Sequence, residues 1–231
     1  MSNIALIPAR SGSKRIKNKN ILEFEGLPLI AHAIKLALDT NIFDEVIVST
    51  DDETIREISL KYGASVPWIR PKKLADDFAT TLDVMKHSAE EVIKIHPQTK
   101  NICCLYPATP LLDHEIIKKA YELFILSDAN FTFPSIEHPI YRTFTLGEEK
   151  EVVLNFPEHS QTRTQDLEKT YIDSGQFYWG KIDAWLEGCE IFGPHSNSLV
   201  IPRYSVIDID SMADFELAES LFKLKKGSKN E

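Results

Sequence analysis

The sequence predicts an α/β fold of Rossmann-like type, a mainly parallel sheet sandwiched by helices, with a small β-rich lobe inserted late in the chain. Three observations carry that expectation. Short apolar runs at 3–7, 45–49 and 101–106 alternate with amphipathic stretches, the rhythm of βαβ units. The amphipathic stretches carry helix start and stop signals at their ends. Residues 131–180 then break the rhythm with short extended runs between Pro, Gly and polar clusters, the pattern of antiparallel strands and long loops.

Taken in order, residues 3–7 read as a buried strand and 28–38 as a helix with Pro28 in its first turn. Residues 45–49 form a second strand. Thr50-Asp-Asp-Glu53 has the spacing of a capping box and opens a helix that runs to Tyr62 and stops at Gly63. A third short strand is expected over 65–69, followed by Arg70-Pro71 and a polar loop. Thr80 or Thr81 caps a helix through Ile95. Residues 101–106 are continuously apolar, as in a central parallel strand, and Asp113 caps the next helix to Leu126. After the lobe, strands are expected at 198–201 and 206–209, then a helix opened by Ser211 with Asp214 three residues on. Lys223 to Lys229 read as a polar, frayed tail.

Composition narrows the function classes. At 231 residues, with 43% hydrophobic and 26% charged residues, the chain suits a single domain, residues 1–231, and is not disordered. No apolar run approaches the ~20 residues of a membrane span. The N-terminus lacks a signal-peptide pattern, because Ile4–Ile7 runs straight into Pro8. A cytoplasmic protein with no membrane partner is expected. The formal charge of -9 with one basic loop argues against nucleic acid, which wants an extended basic face. Cys103, Cys104 and Cys189 have no metal-binding spacing, and the adjacent pair should point to opposite faces of a strand.

The basic loop is the main functional signal. Pro8-Ala-Arg-Ser-Gly-Ser-Lys-Arg-Ile-Lys-Asn-Lys-Asn20 places Arg10, Lys14, Arg15, Lys17 and Lys19 between a strand and a helix, and the first acid after them is Glu23. Gly12 between two serines could turn backbone N–H groups toward phosphate oxygens; lysines add point charges and Arg10 can grip two oxygens. The spacing is neither a Walker A loop nor a dinucleotide fingerprint. A polyanion site and a solvated basic loop both fit.

A second signal lies near the other end. Asp208 and Asp210 stand two apart on an expected strand, so both carboxylates would face one side and could share a hard cation such as Mg2+, or else cap the following helix. The seven histidines show no ligand spacing and are assigned no chemistry.

The loop, with Ile7 in front of it, resembles the N-terminal signature of the cytidylyltransferases that activate nonulosonic acids, the family containing CMP-N-acetylneuraminate synthetase. Val48-Ser-Thr-Asp-Asp52, Arg70-Pro71 through Ala79-Thr-Thr81, Pro107-Ala-Thr-Pro110 and Asp208-Ile-Asp210 follow in that family's order. The resemblance implies transfer of CMP from CTP to an acidic nine-carbon sugar, with release of pyrophosphate and with Mg2+ held by Asp208 and Asp210. It implies that Arg10, Ser13 and Lys14 hold phosphates, with Lys19 and Asn20 near the α-phosphate. Arg70 and Thr81 match positions that contact cytosine, helped by backbone at Leu6, Pro8 and Ala9. It also implies a homodimer in which 131–180 projects onto the partner, which would cover the many aromatic side chains of that lobe. The polar residues Tyr106, Thr109, Arg163, Gln165, Asp166, Tyr171, Asp173 and Gln176 have the pattern of a sugar pocket.

Thr164-Gln-Asp-Leu-Glu168 followed by Tyr171-Ile-Asp-Ser-Gly-Gln-Phe-Tyr-Trp-Gly180 is similar to the branch acting on pseudaminic acid. Where the N-acetylneuraminate branch has Gln-Pro-Thr-Ser-Pro-Leu-Arg, this chain has Tyr106-Pro-Ala-Thr-Pro-Leu-Leu112. Losing an amide and a cation should move preference toward a sugar with a methyl-terminated tail and two acylamino groups. Legionaminic, N-acetylneuraminic and 3-deoxy-octulosonic acids are alternatives under the same chemistry. A non-catalytic nucleotide-binding regulatory module is the reading from another class, and Arg10, Lys19, Asp208 and Asp210 together weigh against it.

Overall fold

The structure, a computed structural model, describes residues 2–227. In chain order its elements are β1 (Ser2–Pro8), β2 (Glu23–Phe24), β3 (Leu27–Pro28), α1 (Leu29–Thr40), β4 (Glu45–Ser49), α2 (Glu53–Lys61), α3 (Thr81–Ile95), β5 (Thr99–Leu105) and α4 (His114–Ile125). They continue as β6 (Phe131–Glu137), β7 (Phe144–Leu146), β8 (Val152–Leu154), β9 (Tyr171–Asp173), β10 (Phe177–Lys181), α5 (Ile182–Glu187), β11 (Ser196–Val200) and α6 (Met212–Gly227).

The main sheet runs β11-β6-β10-β5-β1-β4, with β9 pairing β6 where β10 leaves off. β1 is parallel to β4 and β5, and β11 to β6, while β10 enters antiparallel between β5 and β6. The sheet is therefore mixed and mainly parallel, as the βαβ rhythm predicts.

Side chains alternate across it. Ala5, Ile7, Val46, Val48, Cys103, Phe177 and Trp179 pack on one face under α1, α2 and α4; Ile4, Leu6, Ile47, Cys104 and Tyr178 pack on the other under α3 and α5. Cys103 and Cys104 thus separate to opposite faces. Two tryptophans close the layers, Trp179 stacked on Phe43 and Trp185 donating its Nε1 proton to the Ile102 carbonyl at 3.2 Å. Gly180 permits the second: a Cβ there would lie 2.4 Å from Trp185 Nε1. A third cluster, Ile16, Phe24, Leu29, Ile209, Phe215 and Ala218, seats α6 against the basic loop and so fixes the distance between the two sequence signals.

Four expectations are corrected. The cap of α2 is Asp52, whose carboxylate accepts the Ile55 N–H at 2.9 Å, whereas Thr50 is buried and its hydroxyl accepts from Asp52 N–H. Residues 65–69 make only two isolated bridges, Ile47 with Ser65 and Thr50 with Ile69. Residues 206–209 form no strand, because Ile209 turns into the third cluster instead of joining a ladder. The segment 131–180 does not project as a whole: β6 and β10 at its ends are strands of the main sheet, with Phe131, Phe177 and Trp179 fully buried in this chain.

The part that stands outside the main sheet and is mostly exposed is 138–170. Its β7–β8 hairpin puts Phe144, Leu146, Val152 and Leu154 on one face, all exposed. Thr80 forms the capping box of α3 with Asp83, and Asp113 caps α4. The Lys223–Lys229 tail is helical through Gly227, and Lys229 lies outside the described residues. No helix among the described residues is long and apolar enough to cross a membrane.

Candidate active site

Parallel strands β4, β1 and β5 end on one side of the sheet, and open α/β sheets bind ligands there. A cleft of about 570 Å³ opens at that edge. The loop after β1 supplies Pro8, Arg10, Ser13, Lys14, Arg15, Lys19 and Asn20; the end of β5 supplies Tyr106, Pro107 and Ala108. The approach to β10 adds Gly175, Gln176 and Tyr178, and Asp77, Asp208 and Asp210 complete the wall.

Side chains brace the loop. Asn20 Nδ2 donates to the Arg10 carbonyl at 2.9 Å, and the Asp51 carboxylate accepts both the N–H and the hydroxyl of Ser11, at 3.2 and 2.9 Å. The left-handed turn falls on Asn18, φ 57°, and not on Gly12, whose φ is outside that region. Gly12 contributes open space instead, since a Cβ there would meet nothing within 4 Å.

The charges interlock. Arg10 lies 3.0 Å from Asp77, which also contacts Lys14. Arg15 contacts Asp210, and Lys19 Nζ donates to the Ile209 carbonyl at 2.7 Å while lying 3.8 Å from Asp210. Burial, then the neighbouring Asp210, push the Asp208 carboxyl above its ordinary range, while Lys19 and Arg15 pull the other way. Two like charges close together in the cleft wall repel each other, and a hard cation would relieve them. Among the described residues no group of three or more metal-binding side chains occurs. A pair of carboxylates is still a fitting donor set for Mg2+, which keeps waters and takes phosphate oxygens for its other positions.

The remaining expected site residues fall into three groups. Tyr106 and Gln176 face the cleft. The Tyr106 hydroxyl shares a 2.6 Å hydrogen bond with Thr81 Oγ1, placing Thr81 behind the tyrosine, and burial raises the pKa of the phenol so that it stays protonated. Asp173 accepts from the Tyr178 hydroxyl and from Gly175 N–H, which orders that wall.

A second group is turned inward. Arg70 is only 4% exposed and does not line the cleft: its Nε donates to Ser49 Oγ at 3.1 Å and its Nη2 to the Ser49 carbonyl. Burial lowers its pKa to about 10, with Asp51 opposing, so it remains a cation. Leu6 and Ala9 are fully buried, and Thr109 bonds the Tyr106 carbonyl at 3.0 Å. Leu112 packs in the core, so its difference from arginine does not reach the cleft.

The third group lies away from the cleft wall: Arg163 and Asp166 pair with each other at 2.6 Å, and Gln165 and the β9 residue Tyr171 are exposed. Sequence reasoning gave no individual site role to Arg15, Asp51, Asp77 or Tyr178. Arg15 and Tyr178 were visible as a cation and an aromatic; nothing local marks Asp77, whose partner Arg10 is 67 positions away.

The family model described as cytidylyltransferase matches residues 4–180. A pseudaminic acid cytidylyltransferase of Campylobacter jejuni is 46% identical over 230 residues, covering 99% of both chains. A CMP-N,N'-diacetyllegionaminic acid synthase of Legionella pneumophila is 30% identical, covering 98% of both. The solved structure of a CMP:2-keto-3-deoxy-manno-octonic acid synthetase complexed with CTP superposes with a TM-score of 0.72, covering 97% of this chain and 100% of that one at 14% identity, a likeness of fold.

Proposed function

The chain belongs to the cytidylyltransferase family, and on that premise we propose that it transfers CMP from CTP to pseudaminic acid and releases pyrophosphate. One observation carries the reading: four cations and a carboxylate pair converge on one cleft beside Tyr106, Gln176 and Tyr178. A sugar hydroxyl attacks the α-phosphorus; its oxygen–phosphorus bond forms as the bond to the bridging oxygen breaks, that oxygen leaves with the pyrophosphate, and the hydroxyl proton is lost to solvent.

The chain's part is to neutralise charge and hold the reacting oxygens in line. Arg10, Ser13 and Lys14 hold the phosphates, and Lys19, the least exposed of the four cations, lies with Asn20 toward the α-phosphate. Asp208 and Asp210 would hold Mg2+, which supplies a Lewis acid for phosphate oxygens. Tyr106, Gln176 and Tyr178 present polar heads to the sugar. Base recognition rests on the strand-end backbone near Pro8, with Arg70 supporting that edge from behind.

Sugar choice is tested by comparing kcat/KM for pseudaminate, legionaminate, N-acetylneuraminate and 3-deoxy-octulosonate. Pseudaminate is expected to be the best of the four, and equal or better use of N-acetylneuraminate would contradict the reading. The exposed apolar face of the β7–β8 hairpin supports a homodimer formed through the lobe. Light scattering at micromolar concentration should give twice the 26.3 kDa chain mass, and a monomeric mass would rule the dimer out.

A further inference from the structure

All four cations that line the cleft are paired with carboxylates of the chain itself. Asp210, the partner of Arg15 and Lys19, has a role in the reading above; Asp77, the partner of Arg10 and Lys14, has none. Asp77 belongs to the exposed connection between the short turn Lys72–Leu74 and the Thr80 cap of α3. That connection is braced from within, because the Asp76 carboxylate accepts the N–H groups of Phe78 and Ala79, both at 2.9 Å. Arg10 Nη1 also donates to the Asp76 carbonyl at 2.6 Å. Lys14 first, and then Arg10, hold the Asp77 carboxyl below the ordinary range, so it is an anion at neutral pH.

A carboxylate bridging a guanidinium and an ammonium offers them the charge and acceptor oxygens that a phosphate would. We propose that Asp77 is a built-in stand-in for a phosphate group, a positioning residue that occupies Arg10 and Lys14 until the triphosphate displaces it. The proposal rests on the reading of the cleft as the triphosphate site. Ligands that reach these two cations must break both pairs, and ligands that end at the nucleoside need not. Asp77 therefore weakens triphosphate binding selectively. In Asp77→Asn the guanidinium keeps its bond to the Asp76 carbonyl, so the competing anion is removed without releasing Arg10. Both pairs are solvent-exposed, and such pairs are weak, so the effect should be about threefold to tenfold.

The test is titration calorimetry of CTP, inorganic tripolyphosphate and cytidine, with and without Mg2+, on the wild-type chain, Asp77→Asn, Asp77→Glu and Arg10→Ala. Asp77→Asn should bind CTP and tripolyphosphate about threefold to tenfold more tightly and cytidine as before, with Asp77→Glu at the wild-type level. Unchanged or weaker CTP binding in Asp77→Asn, while Arg10→Ala binds more weakly than wild type, overturns the stand-in and leaves the cleft assignment in place. A changed Mg2+ dependence in Asp77→Asn would make the residue a metal ligand and also overturn it. Undiminished CTP binding in Arg10→Ala would remove the cleft assignment itself, and the stand-in with it.

Discussion

Asp208→Asn is expected to lower turnover by about a thousandfold or more, roughly 4 kcal/mol of barrier, while CTP still binds. Asparagine has the shape of aspartate and the side chain is exposed, so the surrounding packing is kept and only the charge goes. All four cleft cations remain to hold a triphosphate. What is lost is half of the carboxylate pair proposed to hold the metal. The sign of the stability change separates this from unfolding. Asp208 has a raised carboxyl pKa in the folded chain, so its ionised form is less favourable there than in the unfolded chain. Removing the charge should therefore leave thermal unfolding at neutral pH no lower than in the wild type. Turnover measured against a Mg2+ titration checks the first expectation and a melting curve the second. Wild-type rates with unchanged metal dependence would contradict the role given to Asp208.

Lys19→Ala and Arg10→Ala are each expected to reduce turnover by more than tenfold, about 1.4 kcal/mol. Lys19 bridges the two halves of the site, because its Nζ bonds the Ile209 carbonyl and approaches Asp210. Truncation removes a cation proposed to lie near the α-phosphate and loosens the segment carrying both aspartates. Arg10 acts from the other end of the loop, where it faces Asp77. Its half-buried side chain makes only surface pairs, which contribute little to folding, so a fall in kcat without a fall in melting temperature is the expected pattern. Wild-type rates in both variants would show that the loop is a solvated basic surface.

The parallel half of the fold was legible because each element there has a local cause. Apolar runs make buried strands, and Thr80, Asp113 and Ser211 stand where helix caps belong. The place of β10 was not. Phe177, Tyr178 and Trp179 are apolar enough for any core, and nothing nearby says that the chain, after the lobe, returns between β5 and β6 with reversed direction. Residues 206–209, Val-Ile-Asp-Ile, are apolar enough for a strand, but α6 and the basic loop offer Ile209 an apolar pocket, and that packing decides.

The site divides in the same way. The basic loop announced itself by charge density within a few positions, whereas nothing local shows that Arg70 is buried and tied to Ser49. Burial of one arginine is a tertiary fact that spacing does not contain. The Asp77 pairing with Arg10 and Lys14 likewise exists only once distant loops meet.

The cleft is proposed to join a cytidylyl group to an acidic sugar. A single assay mixes the wild-type chain with CTP, Mg2+ and pseudaminic acid and follows pyrophosphate and the CMP-sugar together. The expected result is one CMP-sugar for each pyrophosphate released, with neither product when the sugar is left out. CTP binding without release of pyrophosphate for any acidic sugar would contradict the claim and point to a regulatory nucleotide-binding module.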